Sequence, residues 1–268
     1  MELGNSLFDL SGRRVLITGA SRGIGLCLAR GFAANGARVA MAARSRNTLR
    51  KEAATIGEEG GDAVPIPGDL SSDDGCTGVV EDAVTELGGL DVLLHNAGGP
   101  VVDEHGVLQM RAVLGASDAD WAGVLDVNLM GAVRLLRAAQ PFLSVSPDPS
   151  VTVMSSVASL LGVGGMEPYA AAKAAQVSLV RSLGTAWARQ GIRVNALCPG
   201  WVRTEMTSSA HEDEATSEAV LSNVPQRRWA EPEELVGPAV FLSSPAASFM
   251  TGQTLIVDGG LAAHPLID

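Results

Sequence analysis

Tyr169 is the only tyrosine in 268 residues, and Lys173, four positions on, is one of just two lysines in a chain that otherwise carries its positive charge on arginine. On a helix that spacing puts both side chains on one face. A phenol held beside an ammonium is a proton-transfer device. Free tyrosine titrates near pH ~10, so an acid or base useful near neutrality needs its phenolate favoured by about 3 units, or roughly 4 kcal/mol. One positive charge at ~5 Å in an effective dielectric of ~20 supplies roughly 3 kcal/mol, so the lysine alone nearly suffices. Taken singly, a Y-x-x-x-K match is more often a half-buried tyrosine beside a solvated lysine. Its meaning depends on the elements around it.

Those elements can be read from periodicity. Short runs rich in valine, isoleucine and leucine alternate with longer alanine-rich stretches of helical period, the pattern of a parallel sheet covered on both faces. Strands are expected near 14–18, 38–42, 63–67, 92–95, 151–155, 193–197 and 254–257. Seven parallel strands without a linker make residues 1–268 one α/β domain, a Rossmann-type doubly wound sheet with helices on both faces. Between the last two strands, 202–228 carries the acidic run beginning at His211 and no strand signal. It is the candidate for a mobile lid over the substrate, the alternative being a solvated charged face.

Composition narrows the function classes. With 46% hydrophobic and 18% charged residues the chain can bury a sizeable core. A net charge of -11 and only ten aromatics argue against a nucleic-acid surface. The absence of a long apolar run or a signal-like N-terminus argues against a membrane partner and for a cytoplasmic location. Cys27, Cys76 and Cys198 read as reduced, core-filling thiols. His95, His105, His211 and His264 are scattered, so no metal site is expected.

The first predicted strand runs into Thr18-Gly19-Ala20-Ser21-Arg22-Gly23-Ile24-Gly25 and then a helical start. Glycines there permit a tight turn and bring backbone N–H groups close to a pyrophosphate at a helix N-terminus. At the end of strand two the chain has Ala42-Ala43-Arg44-Ser45-Arg46, with no acid to hold the ribose hydroxyls. Arg22 and Arg44 together offer a clamp for a 2′-phosphate, so NADP(H) is expected to be preferred, with NAD(H) possible.

With this turn at one end and Tyr169/Lys173 in the middle, the chain resembles the short-chain dehydrogenase/reductase family from about residue 10 to 260. The family's markers follow in order: Asp69-Leu70, Asn96-Ala97-Gly98, Asn128, Ser155-Ser156, Tyr169 to Lys173, Pro199-Gly200 with Val202 and Thr204, and Asp258-Gly259-Gly260. The resemblance implies that Tyr169 is the acid/base and that Lys173 lowers its pKa while binding the nicotinamide ribose. It makes Ser156, 13 residues before the tyrosine, the group that holds the substrate oxygen, and Asn128 the anchor for a water that continues the proton path. Asp69 and Leu70 resemble adenine contacts, and Asn96, Ala97 and Gly98 floor the cofactor cleft. Val202 and Thr204 match positions at the nicotinamide carboxamide. Structural alternatives stand beside these roles: strand-ending serines, a helix-interior asparagine, and Asp69 as a helix cap.

The implied activity is hydride exchange between NADP(H) and a small-molecule ketone or secondary alcohol, in a homotetramer or a dimer. The branch it looks most like holds gluconate 5-dehydrogenases and 3-oxoacyl-carrier-protein reductases. One alternative is an NAD-linked dehydrogenase of a polyol or sugar acid; another, of a different class, is a non-catalytic dinucleotide sensor. Two departures from the family stand out. His95 replaces its usual asparagine, and 101–115 reads as an insertion that shapes either the pocket or an oligomer surface.

Overall fold

The computed structural model describes residues 5–101 and 108–263. Seven strands form one sheet in the order β3-β2-β1-β4-β5-β6-β7, every pair parallel. They are β1 (Arg14–Thr18), β2 (Arg38–Ala43), β3 (Asp62–Pro67), β4 (Val92–His95), β5 (Ser150–Met154), β6 (Arg193–Pro199) and β7 (Thr254–Val257). All seven expected strands are present, with ends shifted by up to two residues. β5 closes at Met154, so Ser155 and Ser156 lie just beyond the strand rather than in it. Pro65 and Pro67 are tolerated in β3 because it is an edge strand.

Alternation along the central strands divides the core. Leu93 joins a cluster under α3 (Asp73–Leu87), α5 (Gly131–Leu143) and α6 (Glu167–Ala186). Its neighbours Val92 and Leu94 join the opposite cluster under α1 (Gly23–Ala34), α2 (Arg46–Glu58) and α9 (Val236–Ser243). Period two along each strand dictates this split, and burial on both sides explains the nearly continuous apolar runs.

Strand order reverses between β1 and β4, so their carboxyl ends open a crevice. Helix α4 (Asp118–Leu125) passes through a π-helical turn at Asp126–Met130 into α5. The expected lid holds a 3-10 turn (Glu205–Thr207), α7 (Ser208–His211) and α8 (Glu214–Leu221). Its seat is Trp229, 3% exposed, whose Nε1 donates to Ser217 Oγ at 2.8 Å. The same ring meets Trp201 and His211 edge-on, at centroid distances of 5.5 and 5.7 Å.

Candidate active site

Helix α6 starts with Glu167 and Pro168, so Tyr169 stands in its first turn and Lys173 one turn further in. Lys173 Nζ lies 5.5 Å from the Tyr169 ring centroid, as the spacing predicts. Two hydrogen bonds fix the lysine against the end of β5: its Nζ donates to the Met154 carbonyl at 2.8 Å, and Ser155 Oγ donates to the Lys173 carbonyl at 3.0 Å. Ser155 therefore ties helix to strand. Ser156 instead stands near enough to the Tyr169 phenol to lower its pKa and accepts Ala158 N–H at 3.2 Å.

The electrostatics differ from the simplest expectation. Tyr169 keeps some access to the crevice, yet its surroundings are dry enough to push the phenol up to about 12, opposed by the Ser156 hydroxyl. Burial pushes Lys173 down to about 8. Bringing a phenol from about 12 to neutrality requires roughly 7 kcal/mol, more than the roughly 3 kcal/mol one cation supplies. The lysine alone does not suffice, because burial penalises both charged forms. A protonated phenol beside an ammonium is instead poised as a proton donor.

Asn128 lies in the π-helical turn and is fully buried. Its Nδ2 donates to Gly99 O and Val124 O, both at 2.8 Å, and its Oδ1 accepts Gly99 N–H at 3.0 Å. Its carbonyl accepts Gln176 Nε2 at 2.7 Å. The asparagine thus staples the loop after β4 to α6. Gly98, at φ +149°, must be glycine here, since a Cβ would lie 2.5 Å from Asn128 Oδ1. Asn96 reaches back to Thr18 O at 3.2 Å, and the Asn96 and Ala97 amides both donate to Thr18 Oγ1 at 3.1 Å.

The glycine-rich turn meets this loop so closely that a Cβ on Gly25 would lie 2.6 Å from Asn96 Nδ2. No side chain caps α1 or α2, whereas Ser72 caps α3 and Ser117 caps α4. The amides at Gly23 and Ile24, beyond Ser21 and Arg22, are accordingly available to an anion. Arg44, Arg46, Pro67, Gly68 and Asp69 line one groove. Asp69 does not cap α3; its Oδ1 accepts Ser71 N–H at 3.1 Å, and Leu70 packs against the core. Arg22 turns away from the groove to Glu205, at 3.2 Å. Arg46 stands beside Arg44 in the groove.

Past β6, Gly200 N–H donates to Val257 O at 2.9 Å, holding Pro199-Gly200 against β7. Val202 is 4% exposed and bridges to Ala230. Thr204 brings its methyl to 3.7 Å from where a Gly23 Cβ would stand, so the root of the lid rests on the glycine-rich turn. Residues 102–107 of the expected insertion, with His105, lie outside the described residues, as does His264. The remainder of the insertion approaches the loop before α6 through Arg111 N–H on Gly165 O, at 2.6 Å. Among the described residues no cluster of three or more histidine, cysteine, aspartate or glutamate side chains suits a metal, and no helix is long and apolar enough to cross a membrane.

Sequence reading missed Thr18, Arg46, Gln176 and Glu205. Arg46 was visible two residues from Arg44. Thr18 was visible as the start of the glycine-rich turn, whereas Gln176 and Glu205 act through partners distant in sequence and no local signal marks them.

The chain is similar to known proteins along nearly its whole length. The profile of the family described as Enoyl-(Acyl carrier protein) reductase matches residues 19–262. Gluconate 5-dehydrogenase of Gluconobacter oxydans is 37% identical over 256 residues, 95% of this chain and 96% of that one. The 3-oxoacyl-[acyl-carrier-protein] reductase of Vibrio cholerae is 31% identical, over 94% and 98% of the two chains. A solved gluconate 5-dehydrogenase from Burkholderia cenocepacia, in complex with NADP and tartrate, superposes with a TM-score of 0.89 at 34% identity, covering 97% of this chain and 99% of that chain. The chain belongs to the short-chain dehydrogenase/reductase family of oxidoreductases.

Proposed function

We propose that this protein is an NADP(H)-dependent oxidoreductase that reduces the ketone of a sugar acid, or oxidises the matching secondary alcohol. The observation that carries the reading is the convergence of Tyr169, Ser156 and Lys173 at the crevice whose far end is lined by Arg44 and Arg46. The substrate class is supported by relatives named gluconate 5-dehydrogenase and 5-keto-D-gluconate 5-reductase, the latter 34% identical over 257 residues.

The residues present suit the dinucleotide. Uncapped amides at the start of α1 would receive its pyrophosphate, and Arg44 with Arg46 would hold a 2′-phosphate through charge-assisted hydrogen bonds. The bound cofactor would supply or accept the hydride. In the reductive direction the Ser156 and Tyr169 hydroxyls address the carbonyl oxygen, which gathers negative charge, and the phenol hands it a proton. Lys173 then offsets the charge left on the phenolate and leads a proton back to it. Asn128 keeps this end of α6 in register with the loop after β4.

In keeping with the family, the working unit is a homotetramer packed partly through α5 and α6. Segment 202–228 covers the substrate, and the protein is cytoplasmic. The direct test follows NADPH oxidation with 5-ketogluconate, other keto sugars, β-keto thioesters and ring ketones, repeated with NADH. Turnover of a keto acid with an NADPH advantage supports the reading. An NADH advantage favours the NAD-linked dehydrogenase, and tight NADPH binding without turnover of any carbonyl favours a dinucleotide sensor.

A further inference from the structure

His95 ends β4 and is fully buried, its ring on the face that Leu93 turns toward α3, α5 and α6. Its tautomer follows from counting bonds. Thr18 Oγ1 accepts two amide protons, from Asn96 and Ala97, each at 3.1 Å. Both hydroxyl lone pairs are thereby used, and the one hydroxyl proton is left for His95 Nδ1, 3.1 Å away. Nδ1 is the acceptor, so the neutral ring carries its proton on Nε2. Burial and the nearby Lys173 charge keep the ring neutral, holding its pKa down near 3. The Nε2–H has no hydrogen-bond partner among the described residues.

A complementary group stands in the same layer. Gln176 follows Lys173 by three residues on α6 and is also fully buried. Its Nε2 donates to the Asn128 carbonyl, which fixes which end of the amide is which. Its Oε1 is left as an acceptor with no partner among the described residues. An unsatisfied buried donor or acceptor costs about 1–3 kcal/mol. An internal water shared between polar groups is the usual remedy.

We propose that His95 Nε2–H and Gln176 Oε1 together hold one internal water beside Lys173 and Asn128, at the inner end of the proton path, which makes both side chains positioning residues for the reprotonation of Lys173. The inference rests on the acid/base reading of Tyr169. Lys173 gives one proton toward the phenolate and takes one from the water. The water is made whole by a proton from solvent, so that one solvent proton is consumed for each alcohol formed. His95 itself stays neutral throughout, since its Nδ1 faces a hydroxyl whose lone pairs are already in use. The family resemblance makes Asn128 an anchor for a water on this path; here the Asn128 carbonyl already accepts Gln176 Nε2.

His95→Asn keeps an acceptor where Nδ1 stood and removes the Nε2–H. Gln176→Leu removes the other anchor. Each variant is expected to lower kcat on the order of tenfold and to shift the alkaline limb of its pH profile, with NADPH Kd, read by fluorescence, within about twofold of wild type. Because both act on one water, the double variant is expected to be no slower than the slower single variant. A high-resolution crystal structure of the wild-type protein is expected to show a water bonded to both groups. Wild-type kcat and pH profile in His95→Asn, additive losses in the double variant, or no bridging water in the crystal would each overturn the proposal. Tyr169→Phe is run in parallel. If it is inactive while both single variants behave as wild type, this inference alone fails; if it retains full turnover, the acid/base reading fails and this inference with it.

Discussion

Lys173 Nζ donates a 2.8 Å hydrogen bond to the Met154 carbonyl, so the cation beside the Tyr169 phenol is tethered to the end of a sheet strand. One of its three protons is committed to the scaffold, and two remain. That tether matters because burial pushes Lys173 down to about 8, and an ammonium in such surroundings keeps its proton only through bonds of this kind.

Lys173→Arg retains the charge but replaces a compact donor with a planar fork, which cannot serve Met154 O and the crevice from the same position. kcat is expected to fall roughly 100-fold, with NADPH affinity changed much less. Steady-state kinetics beside a fluorescence titration checks this. Near wild-type kcat in the arginine variant would refute the role given to the lysine.

The pH dependence of ketone reduction follows from the same pair. The phenol, pushed up to about 12, stays protonated across the working range, and Lys173 is an ammonium below about 8 and neutral above it. In the proposed mechanism, reduction uses both protonated forms. Reduction is therefore expected to be level below pH 8 and to fall above it, while alcohol oxidation, which needs the phenolate, rises with pH. A kcat profile for reduction that climbs above pH 8 would contradict the assignment.

Arg44 and Arg46 face one groove with Asp69. Losing a charge-assisted hydrogen bond to a phosphate costs about 1.5–3 kcal/mol, so Arg44→Ala or Arg46→Ala should lower kcat/KM for NADPH by about 10- to 100-fold. The value for NADH should hardly move. Equal losses with both cofactors would show that the groove does not read the 2′-phosphate.

Glu205 holds Arg22 in an exposed pair at 3.2 Å. Such pairs contribute about 0.2–1 kcal/mol, so Glu205→Gln, by freeing Arg22 for an anion, should tighten NADPH binding by no more than about fivefold. Isothermal titration at low salt decides the sign, and weaker binding would mean that Glu205 holds Arg22 in a useful place.

Most of the architecture was legible because period two, alanine-rich helices and glycine turns are local signals. Leu93 and its neighbours Val92 and Leu94 alternate between two core layers, as a doubly covered strand requires. Tyr169 and Lys173 were legible for the same reason, their i,i+4 spacing being enough to bring them together on α6. What sequence could not supply was pairing across distance. Arg22 is 183 positions from Glu205, the carboxylate it pairs with. Thr18 is 77 positions from His95, and only the folded sheet brings the two together. The strength of burial was equally hidden, since nothing in the spacing of Tyr169 and Lys173 says how dry their surroundings are. Asp69, readable as a helix cap, lost that role to Ser72 because the cap depends on where the turn falls.

Tyr169→Phe tests the central claim most directly, since it removes one oxygen and leaves the ring, the helix and Lys173 in place. With NADPH and a reducible keto acid, the variant is expected to bind cofactor within about twofold of wild type and to lose at least roughly 100-fold in kcat. Turnover at the wild-type rate would show that the proton comes from elsewhere.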